Sequence, residues 1–143
     1  MTHGTTSALA ILVAATFTAA PALADATVKV SLTGEAGGRM GMDLSTPSVP
    51  AGKVRFEVAN AAASTGHEMI VVKLASKDQR LPLDPAKHRL DEKAVKSLGE
   101  VSGLKAGQHG TLTVALVPGD YELVCNHKGH YEAGMYAPFT VTP

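Results

Sequence analysis

Four side chains that bind soft metals crowd into the eleven-residue stretch CNHKGHYEAGM: Cys125, His127, His130 and Met135. Another imidazole, His67, stands 58 positions before Cys125 in the segment TGHEMIVV. Thiolate, imidazole and thioether together form a mixed nitrogen and sulfur donor set. Two His, one Cys and a weak axial Met suit a single copper ion that exchanges electrons. Cys125 would bind as its thiolate. The free thiol pKa of about 8.5 is no obstacle, because a coordinating metal removes the proton outright. Three donors would come from one loop and the fourth from a distant strand, so the folded chain has to hold the geometry.

Each of these residues also has a plainer role open to it. Cys125 is the single cysteine, so it makes no internal disulfide, and after Tyr121 and Leu123 it could be a small buried hydrophobe. The spacing to His130 and Met135 favours a ligand. Met135 taken alone would be a core gap-filler, and His67 taken alone a polar residue at a strand end. His127 competes with His130 for the same place. His127 lies two residues after Cys125, where the strand is still running out, whereas His130 follows Gly129, which permits a tight turn back toward the sulfur. His130 is the preferred ligand, with His127 at the surface near the mouth of the site. Met40 and Met42 form a soft M-x-M pair that could load copper, but as alternating strand positions they read first as core. His88 and His109 sit among polar neighbours and are expected to face solvent.

The elements that must position these donors read mostly as strands. Ala26, Val28, Val30 and Leu32 alternate with polar residues, as do Met40, Met42 and Leu44. The turn Pro50-Ala51-Gly52 leads into KVRFEVAN, whose Val54, Phe56 and Val58 oppose Lys53, Arg55 and Glu57. Further strands are expected over Met69 to Leu74, Thr111 to Val117, the segment YELVC ending at Cys125, and the C-terminal APFTV. Seven or so short strands with turn signals between them imply an all-β, Greek-key sandwich. Residues 75–105 break the rhythm with more charge and proline. There a short helix is expected from Asp91 to Leu98, with Asp91 as N-cap, Leu90, Ala94, Val95 and Leu98 as its apolar stripe and Gly99 at its stop.

The N-terminus bears on compartment. Ala8 to Ala20 is apolar but short for a membrane span, and Pro21 then precedes Ala22-Leu23-Ala24, a signal-peptidase pattern. Residues 1–24, His3 included, are expected to be a secretory signal without a charged n-region. Cleavage after Ala24 leaves residues 25–143 as one periplasmic domain with no membrane span. An unprotected thiol would be vulnerable in that oxidising setting. Thirteen basic and thirteen acidic side chains cancel, and aromatics make up 4% with no Trp. Both facts argue against nucleic acid, which needs clustered cations and stacking platforms.

On the loop C-x4-H-x4-M, with Gly129 before its histidine, the chain resembles the cupredoxins, the family of plastocyanin, azurin and pseudoazurin. The loop is closer to azurin-like and auracyanin-like loops than to the shorter C-x2-H loop of plastocyanin. PAGKVRFEVAN followed by GHEMIVV resembles the family's first-histidine region, and the likeness spans most of residues 26–143 outside 75–105. It implies that His67, Cys125, His130 and Met135 hold one type 1 copper. Where many members place Asn after the first histidine, this chain has Glu68, which puts the hydrogen bonding around Cys125 in question. Four protein donors leave no vacancy for substrate, so a monomeric one-electron carrier is expected rather than an enzyme. Its partners would be transient redox proteins, such as a c-type cytochrome or a copper or haem oxidoreductase. The alternative is a cupredoxin that sequesters copper in copper tolerance, motivated by Met40, Met42, His127 and the 75–105 excursion.

Overall fold

The alternation of apolar residues is cashed out as two facing sheets in the computed structural model, which describes Met1 and residues 25–143. The expected signal peptide, residues 1–24, lies outside the described residues apart from Met1. Eleven strands follow in order: β1 (Ala26–Thr33), β2 (Gly41–Leu44), β3 (Ser48–Pro50), β4 (Gly52–Asn60), β5 (His67–Lys73), β6 (Leu83–Asp84), β7 (Arg89–Leu90), β8 (Lys96–Leu104), β9 (His109–Leu116), β10 (Gly119–Val124) and β11 (Tyr136–Thr142). One sheet runs β2-β1-β4-β9 and the other β3-β11-β10-β5-β8, with β6 and β7 forming a small separate hairpin. β1 and β4 are parallel, in register from Ala26 opposite Val54 to Leu32 opposite Asn60. Among the described residues no helix is long and apolar enough to cross a membrane.

The side-chain period of two places Val28, Val30, Leu32, Val54, Phe56 and Val58 on the inner face of the first sheet, none more than 2% exposed. Tyr121, Leu123, Phe139 and Val141 face them from the second sheet. Phe56 and Phe139 meet edge to face across the gap, ring centroids 5.5 Å apart. Each large aliphatic or aromatic side chain buried in this way contributes about 1.5–3 kcal/mol. Met40 and Met42 belong to this core, which is where the alternation had placed them.

β5 departs from alternation because both of its faces are covered. Met69 and Val71 enter the main core, while Ile70 and Val72 join Leu74, Leu81, Leu90 and Val124 in a second cluster. The segment 75–95 supplies that outer cover.

The helix expected from Asp91 to Leu98 is absent, and no helix occurs among the described residues. Asp91 does cap, but it caps a turn: its carboxylate accepts the Lys93 amide at 3.1 Å, and the Ala94 amide donates to the Asp91 carbonyl at 2.9 Å. From Lys96 onward the chain is strand β8, paired antiparallel with β5. The supposed stripe is split between two sides of the sheet, since Leu90 and Val95 pack in the outer cluster and Leu98 against the main core. A helix would have put them on one face. Gly99 stops nothing; it lies within β8 at a φ of 146°, a backbone setting suited to glycine.

Candidate metal centre

Strand β10 continues its inward face from Tyr121 through Leu123 to Cys125, which is fully buried. The loop that follows is closed by the β10–β11 ladder. Val124 pairs with Tyr136, and the Cys125 amide donates to the Met135 carbonyl at 3.1 Å. Inside the loop the His130 amide donates to the His127 carbonyl and the Met135 amide to the His130 carbonyl, both at 3.0 Å. Gly129 holds a φ of 79°, the left-handed setting that a side chain would resist. This turn carries His130 back over Cys125.

His67 opens β5, which runs antiparallel to β10 with Ile70 opposite Val124. The start of one strand therefore meets the end of the other at the same end of the sandwich. The approach to His67 is organised by buried Asn60. Its amide donates to the carbonyls of Thr65 and Leu104, both at 2.9 Å, and its side-chain oxygen accepts the Ala62 amide.

The structure brings His67, Cys125 and His130 together, with one donor atom from each all within 4.8 Å of one another. His67 Nδ1 lies 3.2 Å from His130 Nδ1, and Cys125 Sγ lies 3.4 Å from that same nitrogen. The other ring nitrogen of His67 lies 3.0 Å from the Gly34 carbonyl. A carbonyl only accepts, so His67 Nε2 carries the proton and Nδ1 presents its lone pair to the cluster, the tautomer that a metal requires. His67 and Cys125 are fully buried and His130 is 8% exposed. Met135 is fully buried in the same core cluster as Cys125.

Burial sets the protonation states. It holds His130 down to about 4, with the neighbouring His67 and His127 pushing the same way. It also lowers His67, against the hydrogen bond to Gly34. Both rings are neutral at pH 7, with lone pairs free. Burial pushes the Cys125 thiol up to about 11, partly offset by backbone hydrogen bonds from His127 and Glu68. A nucleophilic cysteine needs the opposite shift, so the trio suits metal ligation better than covalent catalysis.

His127 lies outside the trio. Its side chain is 35% exposed, with Nε2 3.7 Å from Glu68 Oε2. His88 and His109 are exposed as expected, and His88 pairs with Glu132 at 2.9 Å. Two participants escaped the sequence reading. The Gly34 carbonyl has no side-chain signature at all. Asn126, buried beside Cys125, was legible only as a polar residue ending an apolar strand. Glu68, the departure noted after the first histidine, accepts the Asn126 amide at 3.0 Å.

No family model matches this chain, and no curated protein does either. Solved structures do. An auracyanin from the photosynthetic bacterium Roseiflexus castenholzii is 19% identical, with a TM-score of 0.54 over 85% of this chain and all of that one. Auracyanin B is 24% identical, with a TM-score of 0.55 over 87% of this chain and 94% of its own. Rusticyanin from Thiobacillus ferrooxidans is 18% identical, with a TM-score of 0.58 over 81% of this chain and 77% of its own. These neighbours are cupredoxins, and the likeness shows that the two sheets here have the cupredoxin fold.

Proposed function

We propose that this chain is a type 1 copper protein that carries one electron at a time in the periplasm, with His67, Cys125, His130 and Met135 as the ligands of one copper ion. The observation that carries the reading is the buried trio of two imidazole nitrogens and one sulfur within 4.8 Å, at the end of a sandwich with the cupredoxin fold. The donor set fits copper: neutral imidazoles and a soft sulfur, with no carboxylate among them. Copper bound there would supply a one-electron couple between Cu(I) and Cu(II).

The chain's own residues do the rest. The Gly34 carbonyl holds the His67 ring in orientation and tautomer. Backbone hydrogen bonds from Glu68 and His127 reach the Cys125 sulfur and favour its thiolate. Full burial of His67, Cys125 and Met135 keeps water from the donors. With four protein ligands no position is left for a substrate, which supports a carrier over an enzyme. His130 alone among the donors reaches the surface, beside a depression of about 370 Å³ whose lining includes Ala36, Gly37, Gly38, Ala133, Met40 and Lys128. A transient redox partner docking there would approach the ligand edge directly. The leader-like residues 1–24 support export.

Copper buffering draws less support than it did from the residue pattern. Met40 and Met42 are 5% and 7% exposed within the main core, and the 75–95 segment covers β5. The test is the visible spectrum after Cu(II) addition, with stoichiometry. One copper per chain and an intense thiolate-to-copper band, lost in Cys125→Ser, are expected. A wild-type protein that binds copper and stays colourless would overturn the assignment.

A further inference from the structure

The 75–95 segment belongs to neither main sheet, yet it reaches the ligand loop at Asn126, at the Gly129 amide and through the His88–Glu132 pair. Asn126 is 3% exposed. Its Oδ1 accepts the Leu90 amide at 2.6 Å, and its Nδ2 donates to the Leu90 carbonyl at 3.1 Å. The same Nδ2 also donates to Glu92 Oε1 at 2.7 Å. One amide group thus pairs with both backbone groups of a single residue, as a neighbouring strand would, and spends its remaining N–H on a carboxylate. Its backbone amide donates to Glu68 Oε1, and three residues on, the Gly129 amide donates to the His88 carbonyl at 2.8 Å.

The positions tied together in this way are telling. Glu68 is the chain neighbour of His67, Asn126 of Cys125 and Gly129 of His130. Every residue of the donor trio therefore has an adjacent residue in a hydrogen bond. Glu68 and Asn126 share one node with Leu90 and Glu92, and Gly129 bonds separately to His88, so three of the partners, His88, Leu90 and Glu92, lie in the 75–95 segment. Beneath the node, Leu81 and Leu90 pack with Ile70, Val72 and Val124 and fix the segment to β5 and β10.

We infer that the 75–95 segment is a brace for the ligand loop and that Asn126 is its positioning residue. Without the brace, the loop between Cys125 and Met135 keeps its turn bonds, the β10–β11 ladder, the Asn126 backbone amide on Glu68, the Met40 amide on the Ala133 carbonyl and the Tyr131 hydroxyl on Glu122. The Asn126 side chain and the Gly129 amide, however, lose their partners. A buried side chain whose polar atoms are all paired specifies one arrangement of the groups around it. Here the arrangement is the relative placement of three donors from two distant parts of the chain. A loop held still before copper binds, and in both oxidation states after, is what a low-reorganisation carrier needs. The consequence for copper rests on the function proposed above; the bracing itself does not.

The experiment therefore begins on metal-free protein. Amide hydrogen exchange at Gly129 and His130 is compared with exchange at inner β4 amides, which report global opening. Asn126→Leu keeps the approximate volume and removes all three side-chain hydrogen bonds. It is expected to lower protection at Gly129 and His130 about tenfold relative to β4. Leu81→Ala, which loosens the brace itself, is expected to lower loop protection relative to β4 in the same direction. If Asn126→Leu fails to fold, Glu92→Ala removes a single bond at an exposed position and is expected to shift the same ratio by about threefold. A ratio unchanged in the folded Asn126→Leu protein, or in Glu92→Ala where that is the variant that folds, overturns the inference. So does an unchanged ratio in folded Leu81→Ala. In the copper-loaded protein, Asn126→Leu is expected to slow electron self-exchange about tenfold and to alter the copper hyperfine splitting, with one copper still bound. Loss of loop protection with no copper-thiolate band in wild type would leave the brace standing and remove the proposed function.

Discussion

Gly34 links a backbone conformation to the metal site, and replacing it tests both at once. Its φ is 107°, and a Cβ built on it would lie 2.6 Å from the Arg39 carbonyl oxygen and 2.7 Å from Met40 Cα. Those are backbone atoms and cannot swing aside. Gly37, three residues on, also has a positive φ of 83°, but a Cβ there meets nothing within 4 Å. Gly37→Ala should therefore incur only the left-handed penalty, about 1 kcal/mol. Gly34→Ala should add an overpacking penalty of about 1–3 kcal/mol, for a total of about 2–4 kcal/mol. At roughly 4 °C per kcal/mol for a domain of this size, that is a fall in Tm of about 8–16 °C against about 4 °C. The Gly34 carbonyl also holds His67 Nε2 at 3.0 Å, and losing such a partner typically costs about 10–100-fold in metal affinity. Thermal melts of the metal-free variants and competitive copper titrations would measure the two effects separately. Equal destabilisation by the two substitutions would refute the clash. Gly34→Ala with copper affinity within about twofold of Gly37→Ala would refute the role of the carbonyl.

Four further substitutions probe the site, its loops and the core. His130→Ala should abolish the copper-thiolate band while His127→Ala keeps it, because His127 lies outside the donor trio; the reverse result would exchange their roles. Glu35 accepts hydroxyl hydrogen bonds from Ser64 at 2.7 Å and Thr65 at 2.6 Å, which with backbone amides hold its pKa down to about 2. A depressed carboxylate stabilises the fold above its unfolded pKa near 4.5 and loses that contribution as pH falls through about 2. Glu35→Gln should thus be less stable than wild type at pH 7, with the urea midpoints converging between pH 4.5 and 2; a gap independent of pH would contradict this. Phe56→Ala should cost about 3–5 kcal/mol in urea unfolding, since Phe56 is fully buried and bridges the sheets to Phe139; a loss below 1 kcal/mol would show that the contact carries little.

The strands that alternate, β1, β4, β9 and β11, were legible because one face of each is buried, or half-buried in β9, and the other is wet. β8 was not. Its Leu98 and the preceding Val95 sit at a spacing that also fits a helix, and what makes the segment a strand is the free edge of β5, which no local pattern reveals. β3, β6 and β7 are two or three residues long, too short to show any period. β5 looked like a strand from MIVV, but its coverage on both faces depended on where residues 75–95 would settle. At the site, the Cys125–His130–Met135 spacing could be read because the loop is local, and Gly129 marked the turn by its type. The choice between His127 and His130 rested on the strand still running out at His127 and on the turn that Gly129 permits before His130, and the geometry places His130 beside the sulfur.

Some properties of this protein follow from side-chain chemistry and short-range periodicity, and those the sequence determined by itself. They are the soft donor set, the loop that carries most of it, the two-layer sandwich and the balanced charge with few aromatics. Other properties depend on which segments become neighbours. The meeting of His67 with a loop 58 residues away, the ring nitrogen it presents and the raised thiol of Cys125 all arise from sheet pairing and burial. The same holds for the carbonyl of Gly34 and for the grip of residues 75–95 on Asn126. Backbone groups look alike in every sequence, and only the tertiary structure decides which of them a side chain will face.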